Sequence, residues 1–242
     1  MRPIGLQLYT LRKPFAADPL GTLSRIRETG YDAVEFAAPL GSDFAGFAAR
    51  MKEIGLDCPS AHVGLAEMAE RPDEVLAMAA TLGCRYLVMP YVMPDQRDWT
   101  AVIATLGAFA ERARGEGLRV AYHHHDFEFE AADGVRPFDR LVAETDPQFV
   151  DFELDVYWLT KGGEDPRAFI ERMAGRVKLI HLKDALPDGG MTDVGSGVLD
   201  FAAVIAAADA AGAEHYFVEH DFPPSPWWPS VEASLGHLRT LG

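Results

Sequence analysis

Four ionisable residues in the second half of the chain have the types and spacing of a metal-assisted acid–base site. They are His123 in "YHHHDFEF", Asp155 closing "DFELD", His181 in "KLIHLKD" and Glu219 in "YFVEHD". Each stands where a short apolar run stops. Two imidazoles and two carboxylates suit a borderline or hard divalent ion, Mn²⁺ first, then Co²⁺, Zn²⁺ or Mg²⁺. No thiolate joins them, because Cys58 and Cys84 sit inside apolar runs and read as buried free thiols. Taken singly, each residue has a plainer reading: His181 as a hydrogen-bonded barrel histidine, Glu219 as an ion partner of Lys183, Asp155 as a helix cap. The four together favour an ion.

The elements that must position them follow a rhythm. A helical-period stretch ends at a glycine, one or two polar residues follow, and then comes a run of four to seven apolar residues. Examples are "IRETGYDAVEF", "AATLGCRYLVMP" and "DAAGAEHYFVEH". The glycines fall where a helix ends in the left-handed conformation. The continuous runs fit strands buried on both faces of a parallel sheet. The spacing predicts eight strands, at Ile4–Tyr9, Ala33–Phe36, Asp57–His62, Tyr86–Pro90, Val120–His124, Phe149–Asp155, Val177–Leu182 and Tyr216–Glu219. Eight βα units in 242 residues predict an α/β fold, a single (β/α)₈ TIM barrel spanning residues 1–242. A doubly wound sheet is the alternative, but "LQLYTLRKPF" after the first strand carries no dinucleotide fingerprint.

In such a barrel the reactive groups project from the C-terminal strand ends. Besides the four above, these ends carry Gln7, Tyr9, Glu35, His62, Tyr91, Trp158 and Lys183, all expected at the open mouth in contact with substrate or its oxyanion. Strand alternation separates the three histidines. His123 and His125 face the mouth, His123 as ligand and His125 as substrate contact or base, while His124 faces the helical layer. Glu128, three residues further, is the alternative fourth ligand or a substrate contact.

Composition narrows the partners. A net charge of −15 and the lack of any Lys/Arg block argue against nucleic acid. No run approaches the ~18 apolar residues of a membrane span, and the N-terminus lacks a signal-peptide pattern. Cytoplasm is the default expectation. The loop "DFPPSPWW" is expected to cover the site or to contact a second copy of the chain in a homo-oligomer, and "DVGSGVLDF" reads as a weak phosphate-binding loop or, more simply, as a lid or the loop after the seventh strand.

The series "VEF", "YHHHDFEF", "ELDVYWLTKGGEDP", "VKLIHLKD", "DVGSGVLDF" and "YFVEHD" resembles the sugar phosphate isomerase/epimerase family of xylose isomerase-like barrels, over nearly the whole chain. The resemblance implies a divalent ion held by Glu, Asp, His and Glu from the fifth to eighth strands. The last three fall on Asp155, His181 and Glu219. The first falls on His123, a departure that weakens a symmetric two-glutamate epimerisation. What the resemblance implies is a metal-dependent sugar isomerase or epimerase, in which a base removes the proton beside a carbonyl and an enediolate forms. Glu219 is the first choice of base, then His123 or His125, with Lys183 steadying the oxyanion. A dehydratase or lyase acting on an oxidised sugar or inosose is the alternative, and a non-catalytic sugar or metal binder comes third. Metal affinity is expected to fall below pH ~6 as the histidines protonate.

Overall fold

The computed structural model describes residues 3–131 and 134–242, and in it all eight apolar runs are strands of one closed parallel barrel. They are β1 (Ile4–Gln7), β2 (Ala33–Phe36), β3 (Asp57–His62), β4 (Tyr86–Met89), β5 (Arg119–His123), β6 (Val150–Asp155), β7 (Val177–Leu182) and β10 (His215–Val218). Between the last two lies a small antiparallel hairpin, β8 (Asp184–Ala185) and β9 (Met191–Thr192). β10 pairs with both β7 and β1, which closes the ring. Helices cover the outside. Several start on an aspartate cap, such as Asp98 before Trp99–Gly115 and Asp200 before Phe201–Ala211. The helix Pro19–Thr29 ends on Gly30 at φ 108°, a conformation that a side chain would strain.

Five strands differ from the expected ones by one or two residues at an end, and the shifts in β1 and β5 bear on the site. β1 stops at Gln7 because the Gln7 side chain accepts from the Tyr9 amide and starts a 3₁₀ turn over Leu8–Leu11. β5 begins and ends one residue earlier than expected, so His124 and His125 lie just past the strand.

Alternation sorts the side chains into two layers. Leu87, Met89, Tyr122, Phe152, Leu154, Ile180 and Leu182 join the large core between strands and helices. Tyr86, Val88, Ala121, Leu179 and Phe217 form a separate apolar plug in the barrel. A Cβ on Gly5 would overlap the Phe217 ring, so β1 admits that ring only by carrying no side chain there. Register then sets what stands above the plug. Gln7 pairs with Glu35, His123 with Glu153 and Asp155 with His181.

Candidate active site

His123, Asp155, His181 and Glu219 converge. One donor atom from each lies within 4.8 Å of the others. Asp155 divides its carboxylate. Oδ1 accepts from the amides of Tyr157 and Trp158, at 2.9 and 3.1 Å, and caps the helix Val156–Lys161. Oδ2 is buried without an aligned hydrogen bond, 3.0 Å from the Lys183 ammonium. That ammonium also lies 2.8 Å from Glu219 and 2.9 Å from Asp221.

The ring of His181 is held at both ends, Nδ1 at 2.7 Å from Glu219 and Nε2 at 2.7 Å from Glu35. Glu35 also accepts from Gln7 at 2.7 Å and lies 3.1 Å from His62. A second group of potential ligands, His62, His123, Glu153 and His181, sits next to the first and shares two residues with it. Glu153, in mid-strand, is the member that strand-end reasoning missed. It lies two residues before Asp155, so alternation places both on the inner face, and that spacing was the available signal. Asp221, two residues past Glu219, was missed as well, since its role depends on Lys183 from another strand.

Buried charge needs compensation. Five buried carboxylates (Glu35, Glu153, Asp155, Glu219, Asp221) face one buried lysine together with His62, His123 and His181. Burial disfavours charge on His62, but Glu35 and Glu153 outweigh it and raise its pKa to about 9. His181 is pushed up too, burial again losing to Glu153, Glu219 and Glu35. Burial raises Asp155 to about 6 against the pull of Lys183 and His181. Glu219 goes the other way: Lys183 and His181 overcome its burial and hold it below the usual carboxylate range. For His123 and His125, burial comes first and nearby cations add to it, so both stay neutral. His123 Nδ1 is 3.1 Å from Glu153 yet too poorly aligned to hydrogen-bond. A neutral imidazole with an uncommitted nitrogen beside orphaned carboxylate oxygens is a donor set that fits a divalent cation.

Other expected contacts separate by depth. Tyr9, His62, Tyr91, His123, His125 and Trp158 line a cavity of about 590 Å³ above the cluster, with Lys183 and Glu219 at its base. His125 stacks on Phe127, meets Trp158 and Tyr91 at 5.0 Å, and leaves Nδ1 unpartnered. Gln7, Glu35 and Glu128 are fully buried and line no part of that cavity, contrary to their expected substrate contacts. Gln7 and Glu35 instead brace His181. Glu128 accepts from the Tyr122 hydroxyl at 2.7 Å and the His125 amide at 2.8 Å, which leaves it no part in either ligand group. His124 faces outward, its ring against Phe129 and Phe138 and its Nε2 accepting from the Asp155 amide.

A family model for xylose isomerase-like TIM barrels matches residues 23–241. The chain belongs to that family. Among its relatives, an inosose dehydratase of Geobacillus thermodenitrificans (strain NG80-2) is 31% identical over 144 residues, 51% of this chain and 47% of that protein. The match thus spans about half the length of that curated relative. An inosose dehydratase of Geobacillus kaustophilus (strain HTA426) is 23% identical over 76% of this chain and 73% of its own. The crystal structure of a sugar phosphate isomerase/epimerase from Parabacteroides distasonis ATCC 8503 superposes with a TM-score of 0.85 at 25% identity, covering 99% of this chain and 98% of that one. Among the described residues no helix is long and apolar enough to cross a membrane.

Proposed function

We propose that this family member is a metal-dependent enzyme that removes the proton beside the carbonyl of a keto-sugar. The observation that carries the reading is the buried surplus of carboxylate at the cavity base, ringed by imidazoles of matching donor type. His123, Asp155, His181 and Glu219 would hold one divalent ion, Mn²⁺ being the first choice. When bound, the ion would supply Lewis-acid polarisation of the substrate carbonyl. Glu35, accepting from His181 Nε2, holds that ring so that Nδ1 faces Glu219.

Among the protein groups, proton transfer suits the second choice of base better than the first. Glu219 Oε2 already serves His181 and Lys183, which suits a ligand more than a base. His125 is neutral, faces the cavity and has a free nitrogen, and it is the better proton acceptor. Lys183 and the charged His62 line the cavity, each held by its carboxylates, and would stabilise a developing oxyanion or protonate a leaving hydroxyl.

That asymmetry, a neutral base facing cationic acids, favours loss of water from the keto-sugar, in line with the names of the inosose dehydratase relatives. Isomerisation or epimerisation is the second reading, supported by the likeness to the Parabacteroides structure. Both start with the same proton abstraction and act on a small molecule, which we place in the cytoplasm. The test is proton NMR in deuterium oxide with a panel of keto-sugars and keto-inositols and Mn²⁺-loaded protein. Exchange of the proton next to the carbonyl is expected, followed by loss of water on mass spectrometry. No exchange across the panel would sink the proposal, and exchange with inversion but no water loss would select the second reading.

A further inference from the structure

The cavity is unevenly furnished. Its base carries the ligand cluster, while the opposite wall is built from Ala37, Ala38, Pro39, Leu40 and Val63, from the loops after β2 and β3. At its edge stand three large rings that water reaches: Tyr9 at 43% exposure, Tyr91 at 38% and Phe222 at 74%. A volume near 590 Å³ exceeds one monosaccharide and falls in the range of ligands with more than one ring.

The charges point the same way. Lys183 is the one lysine or arginine lining the cavity among the described residues, and its ammonium is committed to Asp155, Glu219 and Asp221. The other acidic lining residue is Glu67, which repels an anion. Two arginines touch lining residues but are engaged elsewhere. Arg12 lies over the Tyr9 ring and donates to its carbonyl. Arg97 packs over Phe127 and donates to the Val92 carbonyl and the Tyr91 hydroxyl.

The expected phosphate loop is filled from within. The amides of Gly195 and Gly197 donate to Asp184 Oδ2 at 2.9 and 2.8 Å. Asp184 Oδ1 takes the amides of Ala185 and Leu199 at 2.8 and 3.2 Å. Four backbone donors of the kind that cradle a phosphate thus already hold a carboxylate of the chain itself.

Resting on the keto-sugar reading above, we infer that the substrate is an unphosphorylated, neutral sugar that carries an apolar substituent, such as an aglycone. The sugar ring lies over the ligand cluster, and the substituent lies against Leu40, Val63 and Phe222. On the lining a phosphate meets only Lys183 and His62, each already paired with buried carboxylates, and an unsubstituted monosaccharide leaves the apolar wall facing water.

Equilibrium binding tests this apart from turnover. The probes are phenyl β-D-glucopyranoside, D-glucose and D-glucose 6-phosphate, titrated calorimetrically into the full chain loaded with Mn²⁺. The phenyl glycoside is expected to bind at least tenfold tighter than glucose, and the phosphate more weakly than glucose. Phe222→Ala and Leu40→Ala should each reduce the phenyl-over-glucose ratio several-fold. The inference is overturned if the phosphate equals or exceeds glucose, if the phenyl group adds nothing, or if the phenyl glycoside shows no binding. Keto-sugar proton exchange, measured separately, decides the reaction: exchange without phenyl preference sinks only the substrate class, and phenyl preference without exchange sinks only the chemistry.

Discussion

Glu35 and His181 are separated by 146 positions in the chain, yet a carboxylate oxygen of one lies 2.7 Å from Nε2 of the other. Glu35 reaches that place because Gln7, its neighbour in register, donates to the same oxygen at 2.7 Å. The pair fixes which nitrogen of His181 is left for the rest of the site.

Glu35→Gln should therefore weaken Mn²⁺ binding by about 10- to 100-fold, the usual cost of losing a carboxylate behind a ligating histidine. His181→Ala should abolish binding. Titration of both variants with Mn²⁺, followed by calorimetry, checks this, and full affinity in Glu35→Gln would mean that the carboxylate does not orient the ligand.

The three adjacent histidines should give three different phenotypes. His123→Ala should lose the ion. His125→Ala should keep it and lower kcat by about 10²-fold or more, the range of a lost general base. His124→Ala should keep both and cost about 2 kcal/mol or more, from a lost aromatic contact and the unpaired Asp155 amide. Metal content, turnover and urea midpoints separate them, and equal effects from all three would refute the face assignment.

Affinity for the ion should depend on pH well above the ordinary imidazole range. His181 is held protonated by its carboxylates, and His62 rises to about 9. An ion bound at His181 must displace that proton. Affinity should then rise about tenfold per pH unit for each proton displaced and keep rising above pH 7, rather than levelling off above pH ~6 as free imidazoles would suggest. Calorimetry in buffers of different ionisation heat counts the protons, and a flat response above pH 7 would contradict the ion-pair geometry.

Glu128 makes a prediction about stability. Burial lifts its carboxyl to about 7, despite the Tyr122 and His125 bonds that favour ionisation. A raised folded-state pKa means that its contribution is fully present below the unfolded value, near 4.5, and is lost as pH rises through about 7. Glu128→Gln should escape that loss. The variant should gain on the parent from pH 4.5 to above 7, by at most about 3 kcal/mol, as read from urea midpoints. A constant difference across that range would place the Glu128 carboxyl at its ordinary pKa.

Strand alternation and glycine-ended helices were enough to read the barrel, because each is a local rule written in a few residues. The same rule separated His123 from His124 and brought Asp155 beside His181. It could not show depth. Gln7, Glu35 and Glu128 sit at or just past strand ends like the others, but whether a side chain meets ligand or is roofed over depends on neighbours from distant strands. Glu128, in the 3₁₀ turn Phe127–Phe129, is engaged instead by the hydroxyl of Tyr122, which belongs to the layer outside the barrel. The weak phosphate reading of the glycine-rich loop gave way for a similar reason, since its anion is Asp184, eleven residues before Gly195.

Gly5 gives the barrel an unusual mechanical coupling. The Phe217 ring fits beside it and lies 6.0 Å, edge to face, from His181. A methyl group added at the bottom of the first strand would push on a stiff ring, and the ring on the histidine. Ångström-scale tolerances at the reacting end are thus set by a residue with no side chain, remote from any substrate. A side chain at Gly5 would be felt at a ligand, through the space the glycine leaves open.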